Sequence, residues 1–462
     1  MIFISYEYVL FLVLVFALYW ALRHKAAQNA MLLVGSYVFY GYVHPWFCIL
    51  IAASTLADYA CGLAMQWRPK RKRLWLVCSL VFNLGMLGAF KYFNFFVDNV
   101  QQLLAAVGLD FHPLFLQVTL PVGISFYTFQ TLSYTIDIYK GKLEPRRNLV
   151  DFSLFVSFFP QLVAGPIERA VRLLPQIETP RRWDWDRFFA AWPLLISGFF
   201  KKLVIADNVA VFSDQVYALE HPSFFLLLAG TLAFAAQILC DFSGYTDIAR
   251  GSARLLGFEL IENFKAPYLA ISPSDFWRRW HISFSSWIRD YLYIALGGSR
   301  VSTRWRFFLV VLTAMGLSGL WHGAAWHFVL WGLYHGLLVF AYHALGMGGR
   351  WQPKGRLQTL VAWLAMFNFT LFGWMLFRAQ DIGWLWNAFA HVSPGFSGDS
   401  LLVGATIVGL VLLYVWPLWV LGGLNRFLPQ TRWAHGLLYG LVLAAIVLFT
   451  QPATREFIYF QF

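Results

Sequence analysis

Along the chain, apolar stretches alternate with short polar connections, over Tyr8–Leu22, Ala30–Val43, Phe47–Ala64, Leu74–Phe90, Leu120–Tyr139, Phe152–Ala164, Trp192–Ala206, Phe224–Cys240, Phe307–Leu320, Ala324–Leu345, Leu357–Phe377, Leu401–Leu421 and Gly436–Thr450. A helix needs ~20 apolar residues to cross a bilayer core, and several of these stretches are shorter. The pattern predicts an all-α polytopic integral membrane protein with about eleven or twelve transmembrane helices plus re-entrant and interfacial helices. No low-complexity linker divides it and no two halves share a pattern. Residues 1–451 are therefore expected to form a single integrated transmembrane domain, followed by an aromatic tail at 452–462.

The pattern breaks between Asn263 and Arg306, where Lys265, Arg278, Arg279, Arg289, Arg300, Arg304 and Arg306 are interleaved with aromatic residues. Ser274 is the expected cap of a helix through Phe276–His281. Trp, Phe and Ile mixed with Arg suit an interfacial or re-entrant helix, serving either as an anchor or as a substrate-binding surface.

Positive charge orients the chain. The first apolar stretch has no basic segment before it and no small-residue cleavage site after it, which reads as an uncleaved first span. Arg23 and Lys25 follow it, and Arg68-Pro69-Lys70-Arg71-Lys72-Arg73 lies two spans later. Both connections are expected in the cytoplasm, with the N-terminus outside. Composition agrees with a multi-pass membrane protein: 59% of the 462 residues are hydrophobic and 13% charged. The net charge of +12 falls in short loops, where orientation and anionic headgroups account for it and nucleic acid does not. Cys48, Cys61, Cys78 and Cys240 all lie in apolar stretches without metal-type spacing and are expected to be buried packing residues.

Against this apolar background the polar positions stand out. Gly319-Leu320-Trp321-His322-Gly323-Ala324-Ala325-Trp326-His327 puts an imidazole at membrane depth. A polar group there is costly, and a neutral histidine can take a proton from a hydroxyl near neutral pH. Gly319 and Gly323, and then Gly332 and Gly336, form small-x-x-x-small pairs that bring helix backbones together, so His322 and His335 also suit simple hydrogen bonding across a tight crossing. On one helix, His322 and His335 would lie roughly 20 Å apart, too far to share an ion. His322 and His327 miss the helical His-pair spacing, and no metal is assigned. Asp241 and Asp247, near the end of an apolar stretch, suit either a polar funnel or pairing with Arg250 and Arg254. Glu168 is a weaker case of the same kind. Pro452 is expected to end the last helix, leaving a tail that closes in Phe457-Ile458-Tyr459-Phe460-Gln461-Phe462. Such a tail suits an aromatic belt or a frayed end. Serine-hydrolase elbows, phosphate loops and dinucleotide fingerprints are all missing.

Six segments together resemble the membrane-bound O-acyltransferase superfamily, of the bacterial alginate O-acetyltransferase type. They are Leu120–Phe129 (LPVGISFYTF), Ala164–Ile167 (AGPI), Asp241–Asp247 (DFSGYTD), Glu262–Tyr268 (ENFKAPY), Phe276–Ser283 (FWRRWHIS) and Trp321-His322-Gly323, in order and spread over most of the chain. The resemblance implies that His322 is the catalytic histidine, in a central tunnel between a cytoplasmic donor funnel and an outer cavity, with His335 supporting it. It implies acetyl-CoA as donor substrate, with no permanently bound cofactor. Asp241, Tyr245, Arg278, Trp280, His281 and Trp321, all in or beside these motifs, are the expected substrate-binding residues. In related systems a Phe-x-Tyr-x-x-Phe tail resembles an acyl relay. Phe457, Tyr459 and Phe462 fit that pattern, which makes Tyr459 the candidate acceptor. A phenol of pKa about 10 needs a base to act as a nucleophile at neutral pH, and His322 can supply one.

The same resemblance implies a place in the bacterial inner membrane and a periplasmic hydrolase-like acetyltransferase that loads the acetyl onto a polysaccharide. Peptidoglycan and cellulose acetylation fit the same type. D-alanyl transfer uses a carrier-protein thioester and a separate tail protein, and the built-in tail argues against it. From other classes, a polysaccharide exporter lined by His322, Asp241 and aromatics, or a scaffold that only recruits the periplasmic enzyme, also fits the composition.

Overall fold

In a computed structural model of the chain, residues 1–110, 115–116, 119–163, 165–391, 393, 398–427, 432–451 and 455–460 are described. Their regular structure is helical throughout, and no strand occurs among them. Six helices are long and apolar enough to cross a membrane, Phe47–Trp67, Pro69–Ala106, Trp185–Tyr217, Phe224–Leu255, Arg356–Arg378 and Gly398–Leu418, and Tyr6–Ala21, Leu149–Leu162 and Gly436–Phe449 are shorter apolar helices. The chain divides into two compact units, Met1–Ala191 with Ala249–Ile261, and Trp192–Ile248 with Glu262–Phe462.

The first unit buries polar side chains among its aromatic core and exposes large apolar ones, an arrangement that suits a bilayer. Helix Phe47–Trp67 buries Ser54, Thr55 and Asp58 while exposing Ile49 and Leu56. Asp58 accepts from Ser79 Oγ at 2.5 Å and from both contacts of Asn83 Nδ2 at 2.9 and 3.0 Å, and Asn83 Oδ1 accepts from Ser54 at 2.7 Å. In an apolar interior each such group must find a partner on a neighbouring helix, so this seam fixes how the helices meet. Glu168 lies in this unit as well, accepting from the Ile261 N–H at 2.5 Å with Arg172 3.8 Å away. Two of the cysteines depart from expectation: Cys61 and Cys240 are buried, but Cys48 is half-buried and Cys78 exposed, because Cys78 sits on an outward face of helix Lys72–Leu87.

In the second unit, the apolar run around His322 is not one helix. It breaks at Gly323, whose extended backbone caps helix Arg304–His322, and resumes as helix Trp326–Ala344. The two helices fold back on each other at the glycine pairs. A Cβ on Gly319 would sit 2.1 Å from the Phe328 carbonyl oxygen, and one on Gly332 would sit 2.2 Å from that of Met315. This hairpin corrects the single-helix geometry, because His322 and His335 flank the same Trp331 indole with ring centroids 5.0 and 4.9 Å from it.

Gly332→Ala should therefore be strongly disruptive. The methyl group meets backbone rather than a flexible side chain, so the helices must part, at a cost of about 1–3 kcal/mol. Gly440→Ala, with nothing within 4 Å of the new carbon, is the control. Thermal unfolding of the detergent-solubilised proteins should show a lowered midpoint for the first substitution and none for the second.

Helices Trp185–Phe199, Asp207–Tyr217, Phe224–Leu255, Gly398–Phe427 and Arg432–Phe449 share a cluster of buried side chains that includes Ile196, Val209, Ala233, Val411 and Val442. The segment Phe200–Ala206 between the first two widens into a π-type turn. Between Asn263 and Arg306 the expected interfacial helix is a set of short pieces, Pro273–Arg279, Ile282–Trp287 and the wider turn Ile288–Tyr293. The cap of the first is Ser272, whose side chain accepts from the Asp275 N–H, and not Ser274. Pro273 explains the shift, since a proline lacking an N–H suits the first helical position.

Candidate active site

The tail returns into the second unit by a series of polar contacts. Asn208 Nδ2 donates to the Phe449 carbonyl at 3.0 Å where the last helix ends, and Gln451 Nε2 donates to Asn208 Oδ1 at 3.1 Å. Pro452, the expected terminator, lies outside the described residues. Arg455 then pairs with Asp214, which also accepts from Arg378 at 2.8 Å. Lys202 Nζ approaches the Glu456 carbonyl at 3.5 Å, and the Ile458 N–H donates to Asp241 Oδ2 at 2.8 Å.

Beneath these contacts lies a buried ion cluster. Lys202 Nζ is 2.7 Å from Asp207 and 3.0 Å from Asp241, with the three side chains 1%, 3% and 3% exposed. The wide turn Phe200–Ala206 carries Lys202, and Asp207 opens the following helix. Asp241 comes from helix Phe224–Leu255, which approaches closely because Gly198 faces Gly244: a Cβ on either would meet the other's carbonyl oxygen within 2.9 Å. Desolvating such charges is offset only when their remaining hydrogen-bonding capacity is used, and the Ile458 N–H supplies a donor to Asp241. A polar cavity of about 40 Å³ lies here, lined by Lys202, Asp207, Asp214, Asp241, Arg378 and Arg455 among others. That is room for a water or two.

Beyond the ion cluster the tail becomes aromatic. Phe457 packs on Tyr245 at 4.4 Å and on Phe242 at 5.6 Å between ring centroids. The turn Ile458–Phe460 then brings Tyr459 against Phe242 at 4.5 Å, His322 at 5.5 Å and His281 at 6.3 Å. His322 itself is 3% exposed, enclosed by Trp321, Trp331, Phe284 and Phe377 as well as by Tyr459. The Tyr459 hydroxyl is buried without a hydrogen-bond partner among the described residues. An unsatisfied buried hydroxyl costs about 1–3 kcal/mol and marks a position held for something other than stability. Burial, and after it the Asp241 carboxylate, pushes this phenol above its ordinary range, so it rests as the neutral phenol.

His281 is a second imidazole on the same ring. It has a left-handed backbone, φ 42°, at the start of helix Ile282–Trp287, between Phe242 and Phe284. A bulky residue in that region is strained, and such strain tends to collect at functional sites. Burial pushes its imidazole down to about 3, so it is neutral and weakly basic.

Of the residues expected from the sequence, His322, Tyr459, Asp241, Tyr245, His281, Trp321 and Phe457 thus come together around the tail. Trp280 lies one layer out, packed on Trp374 at 4.6 Å and on Phe264 at 5.0 Å. His335 stacks on Phe276 at 5.9 Å, with its Nε2 2.9 Å from where a Gly373 Cβ would be, so its contacts are those of a packed ring sharing Trp331 with His322. Arg278 is held elsewhere, donating to the Gly349 carbonyl at 2.7 Å and to Asp275 at 3.3 Å. Phe462 lies outside the described residues. Asp247 meets Lys201 at 2.6 Å, and Arg254 meets Glu259 at 2.7 Å. Lys201 and Lys202 were the missed partners. Their signal was present, since charges inside the apolar stretch Trp192–Ala206 call for buried counter-ions. No group of three metal-binding side chains occurs among the described residues.

Comparison with known proteins places the chain in a family. The MBOAT, membrane-bound O-acyltransferase family matches residues 143–380. The chain is 38% identical over 429 residues to the "Probable alginate O-acetylase AlgI" of Pseudomonas aeruginosa, covering 91% of this chain and 81% of that protein. It is 34% identical over 380 residues to the "Peptidoglycan O-acetyltransferase" of Helicobacter pylori, covering 76% and 71%. A more distant similarity, 27% over 273 residues and 56% and 69% of the two chains, is to the "Teichoic acid D-alanyltransferase" of Bacillus subtilis. Match length, apolar helices and similarity to two O-acetylating enzymes agree, and the chain belongs to the membrane-bound O-acyltransferase family as a multi-pass membrane O-acyltransferase.

Proposed function

We propose that this protein carries acetyl groups across the bacterial inner membrane, from cytoplasmic acetyl-CoA to Tyr459 of its own tail, and on to a periplasmic hydrolase-like acetyltransferase for O-acetylation of an alginate-like exopolysaccharide. The observation that carries this reading is the contact between the ring of Tyr459, whose hydroxyl is buried, and the buried His322 ring, 5.5 Å between centroids. The names of the relatives favour acetyl as the group transferred, and the greater coverage by the alginate enzymes favours that class of polymer over peptidoglycan.

In the first step His322 takes the phenol proton as the Tyr459 oxygen attacks the thioester carbonyl. The C–S bond breaks, and the CoA thiolate leaves with the proton from the imidazolium. The products are an aryl acetate on Tyr459 and free CoA. A neutral phenol needs that base, since it is a weak nucleophile while protonated. The ester stays activated, because a phenolate of pKa about 10 leaves far more readily than an alkoxide. A hydroxyl of the partner then takes the acetyl, and the phenolate regains its proton. The relay needs Tyr459 to enter from the outer face, which with an outside N-terminus calls for an even number of membrane crossings.

The test is to incubate the protein in proteoliposomes with labelled acetyl-CoA and map the label by peptide mass analysis. One acetyl group on the peptide containing Tyr459 is the expected result. Acetyl transfer to an added acceptor with no label ever reaching that peptide overturns the relay.

A further inference from the structure

Asp241 meets the tail through a backbone amide. Its carboxylate faces Lys202 through one oxygen, at 3.0 Å, and the Ile458 N–H through the other, at 2.8 Å. Lys202 is fixed on its far side by Asp207 at 2.7 Å. The next residue after the amide is Tyr459, in the same turn. A hydrogen bond accepted by a charged group is about twice as strong as a neutral one, and it is directional. In a buried site of low dielectric it is also electrostatically stronger than in water.

We propose that Asp241 is a positioning residue for acyl transfer: held by Lys202 and Asp207, it grips the Ile458 N–H and so seats the Tyr459 phenol against His322. This rests on the relay reading above and moves Asp241 from an expected substrate-binding residue to one that holds the tail. The peptide is gripped through its backbone at Ile458, while Phe457, on Tyr245, fixes the rotation of the turn. The charge balance permits the grip to be removed without collapse, since loss of Asp241 leaves Lys202 paired one-to-one with Asp207.

The test isolates that single bond. Ile458→Pro deletes the donor from the tail without touching the membrane helices, because proline has no N–H. Ile458→Ala shortens the same side chain but keeps the donor. Asp241→Ala removes the acceptor. Tail labelling by acetyl-CoA is followed in proteoliposomes over a range of donor concentrations, and hydrogen exchange is measured on the tail peptide and on helix Phe224–Leu255. Ile458→Pro and Asp241→Ala should each slow labelling at saturating donor by roughly 10- to 100-fold, the worth of a charge-assisted hydrogen bond, with the half-saturating donor concentration unchanged. Ile458→Ala should lose much less than Ile458→Pro. In Asp241→Ala, exchange should rise in the tail and not along the helix.

Equal losses in the proline and alanine variants, unchanged tail exchange in Asp241→Ala, or raised tail exchange with labelling at the wild-type rate would each overturn the proposal. If the wild-type tail never takes label, the relay itself is wrong. Tail exchange in Asp241→Ala then decides separately whether Asp241 seats the tail.

Discussion

Replacing His322 with alanine should lower the rate of acetyl transfer from acetyl-CoA to the tail by about 10²–10⁴-fold, the contribution typical of a positioned general base. The phenol is neutral when seated, so without a proton acceptor its oxygen attacks the thioester only as the far weaker hydroxyl. Single-turnover labelling in proteoliposomes measures the loss directly. His322→Gln serves beside it, since it keeps a polar side chain among Trp321, Trp331, Phe284 and Phe377 and limits the cavity that alanine leaves. Both should be equally slow if basicity is what His322 supplies. His281 touches the same phenol, and His281→Ala is the informative comparison. His281 lies farther from the phenol, 6.3 Å against 5.5 Å between ring centroids, so this variant should lose less. If His281→Ala is dead and His322→Ala retains most of the rate, the roles are exchanged.

Tyr459→Phe should abolish tail acetylation altogether. It deletes one oxygen and leaves the ring, and with it the contacts to Phe242, Phe457, His322 and His281. The variant should be at least as stable as the wild type, because the atom removed is a buried hydroxyl without a partner among the described residues. Mass analysis of the tail and O-acetyl content of the secreted polymer in cells are the two readouts, and both should fall to background. Wild-type polymer acetylation in Tyr459→Phe would mean that the acetyl passes to the partner without stopping on the tail. A scaffold, whose work needs no nucleophile, predicts that outcome.

Several parts of the site were legible because they are local. The histidine in Trp321-His322-Gly323 stands out as a polar group in an apolar run, and the glycine pairs around it announced the close crossing that the Gly319 and Gly332 contacts bear out. The tail was legible only through resemblance, since a run of aromatics at the end of a chain has the same composition as a membrane-belt segment. The break at Gly323 was partly legible, since one apolar stretch stops at Leu320 and the next starts at Ala324, but no local pattern showed that His322 and His335 would flank one Trp331 ring. The cap at Ser272 was missed because Ser272 and Ser274 both suit the role, and the proline between them decides. The lysine partners of Asp241 and Asp247 were missed for a different reason: Lys201 and Lys202 are distant in sequence and lie across a helix pair that Gly198 and Gly244 allow to close.

By itself the sequence determined that the chain is helical, lies in a bilayer and carries a histidine where an imidazole needs a purpose. Those conclusions follow from composition, period and local cost, each a property of a few neighbouring residues. Only the tertiary structure decided that a phenol from the turn Ile458–Phe460 meets that histidine, and that a buried carboxylate accepts the neighbouring Ile458 N–H. Such meetings depend on which helix faces pack together. That choice is made by the summed burial of many distant side chains, which no local pattern records.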